Sequence, residues 1–251
     1  MKRGILYLAF GEEYDKLASY TAEYSRKYTD LPFCVLTNLE PEKRSPNWKS
    51  VKNVKFTFLP LNQSENRAIK TSLINYTPYE ETFFIDCDAA IQNPGIEKIF
   101  DYFQDYDVIF AVSTILKNSK SKFYQYFYEP IIKTTGLEYP LVAYSSGFFG
   151  FKKSEKIKDF FEDWNKLWVL AGKTRDMPPL ACVMKKQISN LKLKIMGENL
   201  YCSGEKNYRN INSIVQHRWK GDKFFQLYHV PKYIPFKPFD VWRKKSVSIN
   251  G

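Results

Sequence analysis

Residues 81–88 read Glu81-Thr82-Phe83-Phe84-Ile85-Asp86-Cys87-Asp88. A β-branched residue followed by three large apolar ones predicts a strand buried on both faces, the kind that lies in the middle of a sheet. Two carboxylates follow at its C-terminal end, where open α/β sheets bind their ligands. If the strand runs on through them, its alternation puts Asp86 and Asp88 on the same side. Like charges that close repel unless a cation neutralises them. A hard divalent ion, Mg²⁺ or Mn²⁺, suits oxygen ligands and can bridge a diphosphate. The competing reading is that the acids open a turn, since a bare Asp-x-Asp often occurs by chance.

Upstream of this stretch, strands and helices alternate. Residues 4–10 form an apolar run that ends at Gly11. A helix is expected over 12–27, with Leu17, Thr21 and Tyr24 at helical spacing, acids in its first turn and Arg26 and Lys27 in its last. Strands are expected at 32–38 and 54–61, separated by a polar loop, and a helix at 65–75 ends before Thr77-Pro78. Downstream, a helix at 95–103 and a strand at 107–113 continue the pattern. The fold class is therefore α/β with a mostly parallel central sheet. In the second half, residues 146–152 read as a strand. Residues 154–170 form an amphipathic helix with Ser154 as N-cap and Ile157, Phe160, Phe161, Trp164 and Trp168 on one face. A further helix is expected over 176–187 and a short strand over 224–229. No repeat or linker divides the chain, so residues 1–251 are expected to form a single domain.

Composition narrows the class. The 251 residues are 44% hydrophobic, with 20 Phe and 18 Tyr, which excludes wholesale disorder. The 11 Gly and 13 Pro exclude collagen-like chains. Cys34, Cys87, Cys182 and Cys202 fit no zinc pattern and no small disulfide scaffold, so reduced thiols and a cytoplasmic location are expected. The first apolar run is too short for a signal peptide, and none approaches the length of a spanning helix. With 38 Lys+Arg against 27 Asp+Glu the net charge is +11, which points to a polyanionic or phosphorylated partner.

Four pieces, in order, resemble the GT-A nucleotide-sugar glycosyltransferases, in particular the family-8, glycogenin-like group with its viral and bacterial relatives. They are the opening through Ala9-Phe10-Gly11-Glu12-Glu13-Tyr14, then Asn66-Arg67-Ala68-Ile69-Lys70, then residues 79–88, and then Leu227-Tyr228-His229-Val230-Pro231-Lys232 with Lys237-Pro238-Phe239 beyond. The last is similar to that group's His-Phe-x-Gly-x-x-Lys-Pro-Trp signature. The resemblance implies a metal-dependent transferase taking a sugar from a nucleotide-diphosphate donor, UDP-linked in the first instance. It implies that Asp86, Asp88 and His229 hold Mn²⁺ (or Mg²⁺), with Asp86 also facing the ribose. It places Ala9, Phe10, Gly11 and Tyr14 at the nucleoside and Arg67, Lys70 and either Lys232 or Lys237 at the phosphates. His217, the chain's other histidine, is the one competitor for His229; His229 is favoured because it ends an apolar strand, whereas His217 lies among Gln, Arg and Lys and reads as a solvated surface residue.

Ser145-Ser146-Gly147 resembles the group's Asn-(Ser/Ala)-Gly strand, which implies Ser146 and Gly147 at the sugar, with Ser145 in place of the Asn. Arg175-Asp176-Met177 resembles its Asp-Gln helix start without the Gln. Asp176 then orients a sugar hydroxyl or takes the acceptor's proton; the plainer reading is a helix N-cap before Pro178. Residues 1–115 form the donor half and 116–251 the acceptor half and tail. Basic and aromatic residues interleave at 117–128 and 232–245 and could serve an acceptor, though in the first stretch Phe123, Tyr126 and Phe127 better fit a helical core stripe.

Two rival readings are weaker. For a sugar-nucleotide-binding or pyrophosphorylase-type protein, the pyrophosphorylase form would need a glycine-rich loop after its first strand, which Gly11-Glu12-Glu13 is not. A non-catalytic nucleic-acid-binding module accounts for the charge but not for the acids, and no helix-turn-helix, RNP or zinc pattern is present. The acceptor stays open between a DNA base, a polysaccharide and a lipid-linked glycan at a membrane surface.

Overall fold

The structure is a computed structural model and describes residues 2–115, 126–202, 210 and 212–217. Its centre is a seven-stranded sheet ordered β3-β2-β1-β4-β7-β6-β8. The strands are β1 (Arg3–Ala9), β2 (Phe33–Thr37), β3 (Val54–Phe58), β4 (Glu81–Ile85), β6 (Val108–Ile115), β7 (Val142–Lys152) and β8 (Leu193–Met196). Pairing is parallel except along β7, which runs antiparallel to both β4 and β6. The α/β, mostly parallel expectation is met.

Side-chain alternation splits the apolar residues between the two faces of the sheet. Leu6, Leu8, Phe84, Phe110 and Phe149 pack with Ile157, Phe160, Trp164 and Leu180 on one face. Ile5, Tyr7, Phe83, Ile85 and Phe148 pack with Ala18, Ala22, Trp48, Phe100 and Phe103 on the other. The helices are α1 (Glu12–Ser25), α2 (Asn66–Lys70), α3 (Ile96–Phe100), α4 (Glu129–Thr135), α5 (Glu155–Leu170) and α6 (Met177–Gln187). Helix α5 follows its sequence pattern: Ser154 Oγ accepts from the Ile157 N–H, and Ile157, Phe160, Phe161, Trp164 and Trp168 are buried.

Several elements differ from expectation. Helix α1 ends at Ser25, because Arg26 turns back onto the chain: it donates to the Thr29 and Leu31 carbonyls and lies 3.6 Å from the Phe33 ring centroid. The polar loop holds two 3₁₀ turns, Pro41–Lys43 and Pro46–Ser50, each opened by a proline. The helix expected over 65–75 is three short pieces, 3₁₀ Gln63–Glu65, α2 and 3₁₀ Leu73–Asn75. The break falls where the Thr71 and Ser72 hydroxyls donate to the Ala68 carbonyl, a local competition with helical pairing. Strand β4 stops at Ile85, and the Ala89 N–H donates to the Asp86 carbonyl, so the acids lie in a turn.

Past that turn the chain enters a small sheet unsignalled in the sequence. Its strands β5 (Ala90–Ile91), β9 (Tyr201–Cys202) and β10 (Val215–Gln216) are ordered β5-β10-β9. This sheet ties the acid-bearing turn to the end of the described chain. Among the described residues no helix is long and apolar enough to cross a membrane, and all four cysteines are buried.

Candidate active site at the ends of β1 and β4

Three tethers fix the turn after β4. The Asp86 N–H donates to the Gly147 carbonyl at 2.8 Å. Cys87 points into the core, its thiol donating to the Leu8 carbonyl at 3.1 Å, and Thr21 Oγ1 on α1 donates to the Cys87 carbonyl at 3.0 Å. With Cys87 anchored inward, Asp86 and Asp88 face the other way. The two opposed readings of the acids are thus both partly right: they open a turn, and they share a side.

The small sheet supplies the third group. Strand β10 pairs antiparallel with β5, and the His217 N–H donates to the Cys202 carbonyl at 2.8 Å. This places His217 Nε2 3.1 Å from Asp88 Oδ1 and 3.7 Å from Asp86 Oδ2. The reading of His217 as a solvated surface residue is corrected: its side chain is 12% exposed and faces both acids. Gly147 makes the space, since a Cβ there would lie 2.5 Å from His217 Cε1. His229, Lys232 and Lys237 lie outside the described residues, as do the strand expected at 224–229 and residues 117–125 of the first basic and aromatic stretch. Of that stretch's described residues, Tyr128 is in the core and Tyr126 is exposed.

Two carboxylates and an imidazole, with ligand atoms all within 4.8 Å of one another, form a group that could hold a metal ion. Oxygen ligands with one imidazole nitrogen fit a hard or borderline divalent ion such as Mg²⁺ or Mn²⁺. One feature of the sequence favours His217 over His229. His217 and Lys223 are six residues apart, the His-to-Lys spacing of the C-terminal signature, and Gly221 lies between them.

Beside the acids lies a buried ion-pair network. Lys70, the last residue of α2, donates to Asp86 Oδ1 at 2.7 Å and lies 3.3 Å from Asp176 Oδ2. Burial opposes the charge on Lys70, but Asp176 and Asp86 outweigh it and its pKa is raised. Burial also opposes ionisation of Asp176, yet Lys70, Arg67 and a hydrogen bond with Ser146 hold its pKa below the ordinary value. For Asp86 burial dominates and the pKa is raised against the pull of Lys70 and His217. Asp176 occupies the N-cap position of α6, as the plainer reading expects, but its side chain makes no cap hydrogen bond and turns to Lys70 instead. Its Oδ2 is buried and has no well-aligned hydrogen-bond donor.

The opening loop completes the cleft. Gly11 has φ +86°, a conformation L side chains rarely adopt, and its N–H donates to Asn38 Oδ1 at 2.8 Å. The Asn38 amide in turn donates to the Leu61 carbonyl, and the Gln63 side chain lies against Gly11. Phe10 is wholly buried in the core, so only its backbone can meet a ligand. Tyr14 is half-buried; burial raises its pKa, and it feels the charges of Arg67, Asp88 and Asp86. Asp86, Asp88, Arg67, Lys70, Ser146, Gly147 and Asp176 are thus brought together, with Gly11 and Tyr14 at the margin. Asn38, Gln63 and Tyr201, which sequence reading did not single out, brace them.

No family profile matches this sequence, and no curated protein sequence matches it significantly. Solved structures do match its fold. An active-site mutant of LgtC aligns with TM-score 0.60 and 11% identity over 90% of this chain and 95% of that one. The galactosyltransferase LgtC in complex with donor and acceptor sugar analogues aligns with TM-score 0.57 and 12% identity over 96% and 99%. Mouse xyloside xylosyltransferase 1 in its apo form aligns with TM-score 0.55 and 9% identity over 86% and 97%. At such identities the likeness is one of fold, and the fold is that of the GT-A glycosyltransferases.

Proposed function

We propose that this chain is a metal-dependent glycosyltransferase of the family-8 kind, moving a sugar from a nucleotide-diphosphate donor, UDP-linked in the first instance, to an acceptor. The observation that carries this reading is the convergence of Asp86, Asp88 and His217 beside the Lys70–Asp176 pair, past the C-terminal ends of β1 and β4. That is where open α/β sheets hold nucleotides.

In this reading Asp86, Asp88 and His217 hold Mn²⁺ or Mg²⁺, and the ion supplies Lewis-acid charge at the leaving diphosphate. The chain's own residues do the rest. Backbone at Ala9, Phe10 and Gly11 and the ring of Tyr14 receive the nucleoside. Arg67 offers charge-assisted hydrogen bonds to phosphate oxygens. Lys70 is held by two carboxylates and sets the local field instead of gripping phosphate alone. Ser146 and Gly147 border the sugar, where the missing Cβ leaves room for close approach.

Asp176 receives the first of its two expected roles. A carboxylate whose pKa is held low is a weak general base near neutrality. Asp176 Oδ2, 3.3 Å from Lys70 Nζ, keeps a second lone pair that suits a sugar hydroxyl as donor. Residues 1–115 serve the donor and 116–251 the acceptor, and the surplus positive charge favours a polyanionic acceptor.

Thermal shift with UDP, GDP and other nucleotides, each with and without Mn²⁺, tests the donor site, because a ligand of the folded state raises Tm. A metal-dependent rise with UDP, lost in Asp88→Asn while the ligand-free Tm stays put, is expected. No metal-dependent rise with any nucleotide would overturn the reading.

A further inference from the structure

The imidazole of His217 is held from behind. Its Nδ1 lies 2.7 Å from Tyr201 Oη, and Tyr201 Oη lies 2.7 Å from Ser145 Oγ. Ser145 Oγ accepts the Gly147 N–H at 3.2 Å. Tyr201 and Ser145 are each 4% exposed. The Tyr201 ring stacks on Phe148, with centroids 5.5 Å apart and planes 22° apart, so the hydroxyl cannot swing away without unpacking that pair. These residues come from different elements: Ser145, Gly147 and Phe148 from β7 in the central sheet, Tyr201 from β9 in the small one. The chain of hydroxyls is thus a polar link between the small sheet, which delivers His217, and β7 of the central sheet, whose Gly147 holds the acid-bearing turn.

We infer that Tyr201, braced by Ser145, is the positioning residue of His217: it holds the ring with Nε2 toward Asp86 and Asp88 and accepts the Nδ1 proton, so that Nε2 presents its lone pair to a cation. This rests on the metal-site reading above. The direction of donation follows from the chemistry. An imidazole that ligates through Nε2 carries its proton on Nδ1 and needs an acceptor there. Tyr201 Oη is that acceptor and passes its own hydrogen to Ser145 Oγ. A phenol and a serine hydroxyl do this without adding charge to a buried site that already holds two carboxylates. Ser145 stands where the resembling group has Asn, so this substitution gains a purpose: a hydroxyl at this position can reach Tyr201.

The test is Tyr201→Phe, which keeps the stacked ring and removes only the hydroxyl. Mn²⁺ affinity in the presence of UDP, read by titration calorimetry, should fall by about 10–100-fold, the usual effect of losing such a supporting partner. Ser145→Ala should weaken affinity less, and it should add little in the Tyr201→Phe background because both act through one relay. The chain has only two histidines, so the imidazole ¹⁵N spectrum of the diamagnetic Mg²⁺ form can be assigned with a His229→Asn control. Wild type should show His217 protonated at Nδ1 alone, and Tyr201→Phe at the same Mg²⁺ concentration a mixture of tautomers, because part of it is left unligated. A purely structural role would lower Tm in EDTA and leave that spectrum unchanged. If wild type binds Mn²⁺ through Asp88 but Tyr201→Phe binds equally well, the positioning role is overturned and the metal site stands. If wild type binds no Mn²⁺, both are overturned. If Tyr201→Phe does not fold, Ser145→Ala decides: unchanged affinity and an unchanged spectrum refute the relay.

Discussion

At the scale of single residues, the site depends on what is absent from Gly147 as much as on what is present at Asp86 and Asp88. A Cβ at position 147 would meet Cε1, Nδ1 and Nε2 of His217 within 2.9 Å, so the ring must shift in Gly147→Ala. That variant should lose Mn²⁺ affinity by about tenfold or more, comparable to losing a supporting partner, with little change in nucleotide binding measured without metal. Equal Mn²⁺ affinity in the variant would show that His217 takes no part. The acids were legible in sequence because they are two positions apart at the end of an apolar strand. His217 was not, because the pairing that carries it to them is made by strands of two residues. Lys70 and Asp176 could each be singled out, but nothing in their sequence neighbourhoods shows that they face each other.

Among elements, those with a long periodic pattern were readable and those fixed by tertiary contact were not. β1, β4 and α5 bury enough side chains at regular spacing to declare themselves. β5, β9 and β10 are too short to show any period, and α2 breaks off after Lys70 where Thr71 and Ser72 divert their hydroxyls to the helix backbone. The packing of α5 against α6 gives a prediction at this scale. Asp163 on α5 accepts from Lys186 and Gln187 of α6, both at 2.7 Å. Burial opposes its ionisation, but these bonds and the charges of Lys186 and Lys166 prevail, and its pKa is lowered. A carboxylate lowered on folding stabilises the fold above its unfolded pKa, about 3.9, and that stability is lost as pH falls through the folded value. Asp163→Asn should therefore lower Tm at pH 7 and flatten the loss of Tm below about pH 4 relative to wild type. Parallel acid limbs for the two proteins would contradict this account of the helix contact.

For the whole molecule, the net charge of +11 exceeds what a diphosphate site needs. Within the described site the cations Arg67 and Lys70 stand against Asp86, Asp88 and Asp176, so the excess lies elsewhere in the sequence. An acceptor that is a polyanion makes use of it. If that acceptor is duplex DNA, binding should weaken steeply with added salt through counterion release; no binding at low salt removes DNA from consideration. The α/β architecture and the GT-A fold were legible from the order of strands, the Asp-x-Asp and the Arg-x-x-Lys upstream of it. The antiparallel course of β7 and the small sheet that closes the site were not, since both are consequences of long-range pairing.

The central claim is that Asp86, Asp88 and His217 hold a divalent ion that in turn holds a nucleotide diphosphate. It is tested most directly by an anomalous difference map from crystals grown with Mn²⁺ and UDP, collected at the manganese edge. The account predicts a single strong peak bounded by Asp86, Asp88, His217 Nε2 and the diphosphate oxygens. A map with bound UDP and no peak there, or a peak whose protein ligands exclude His217 and both acids, would contradict it.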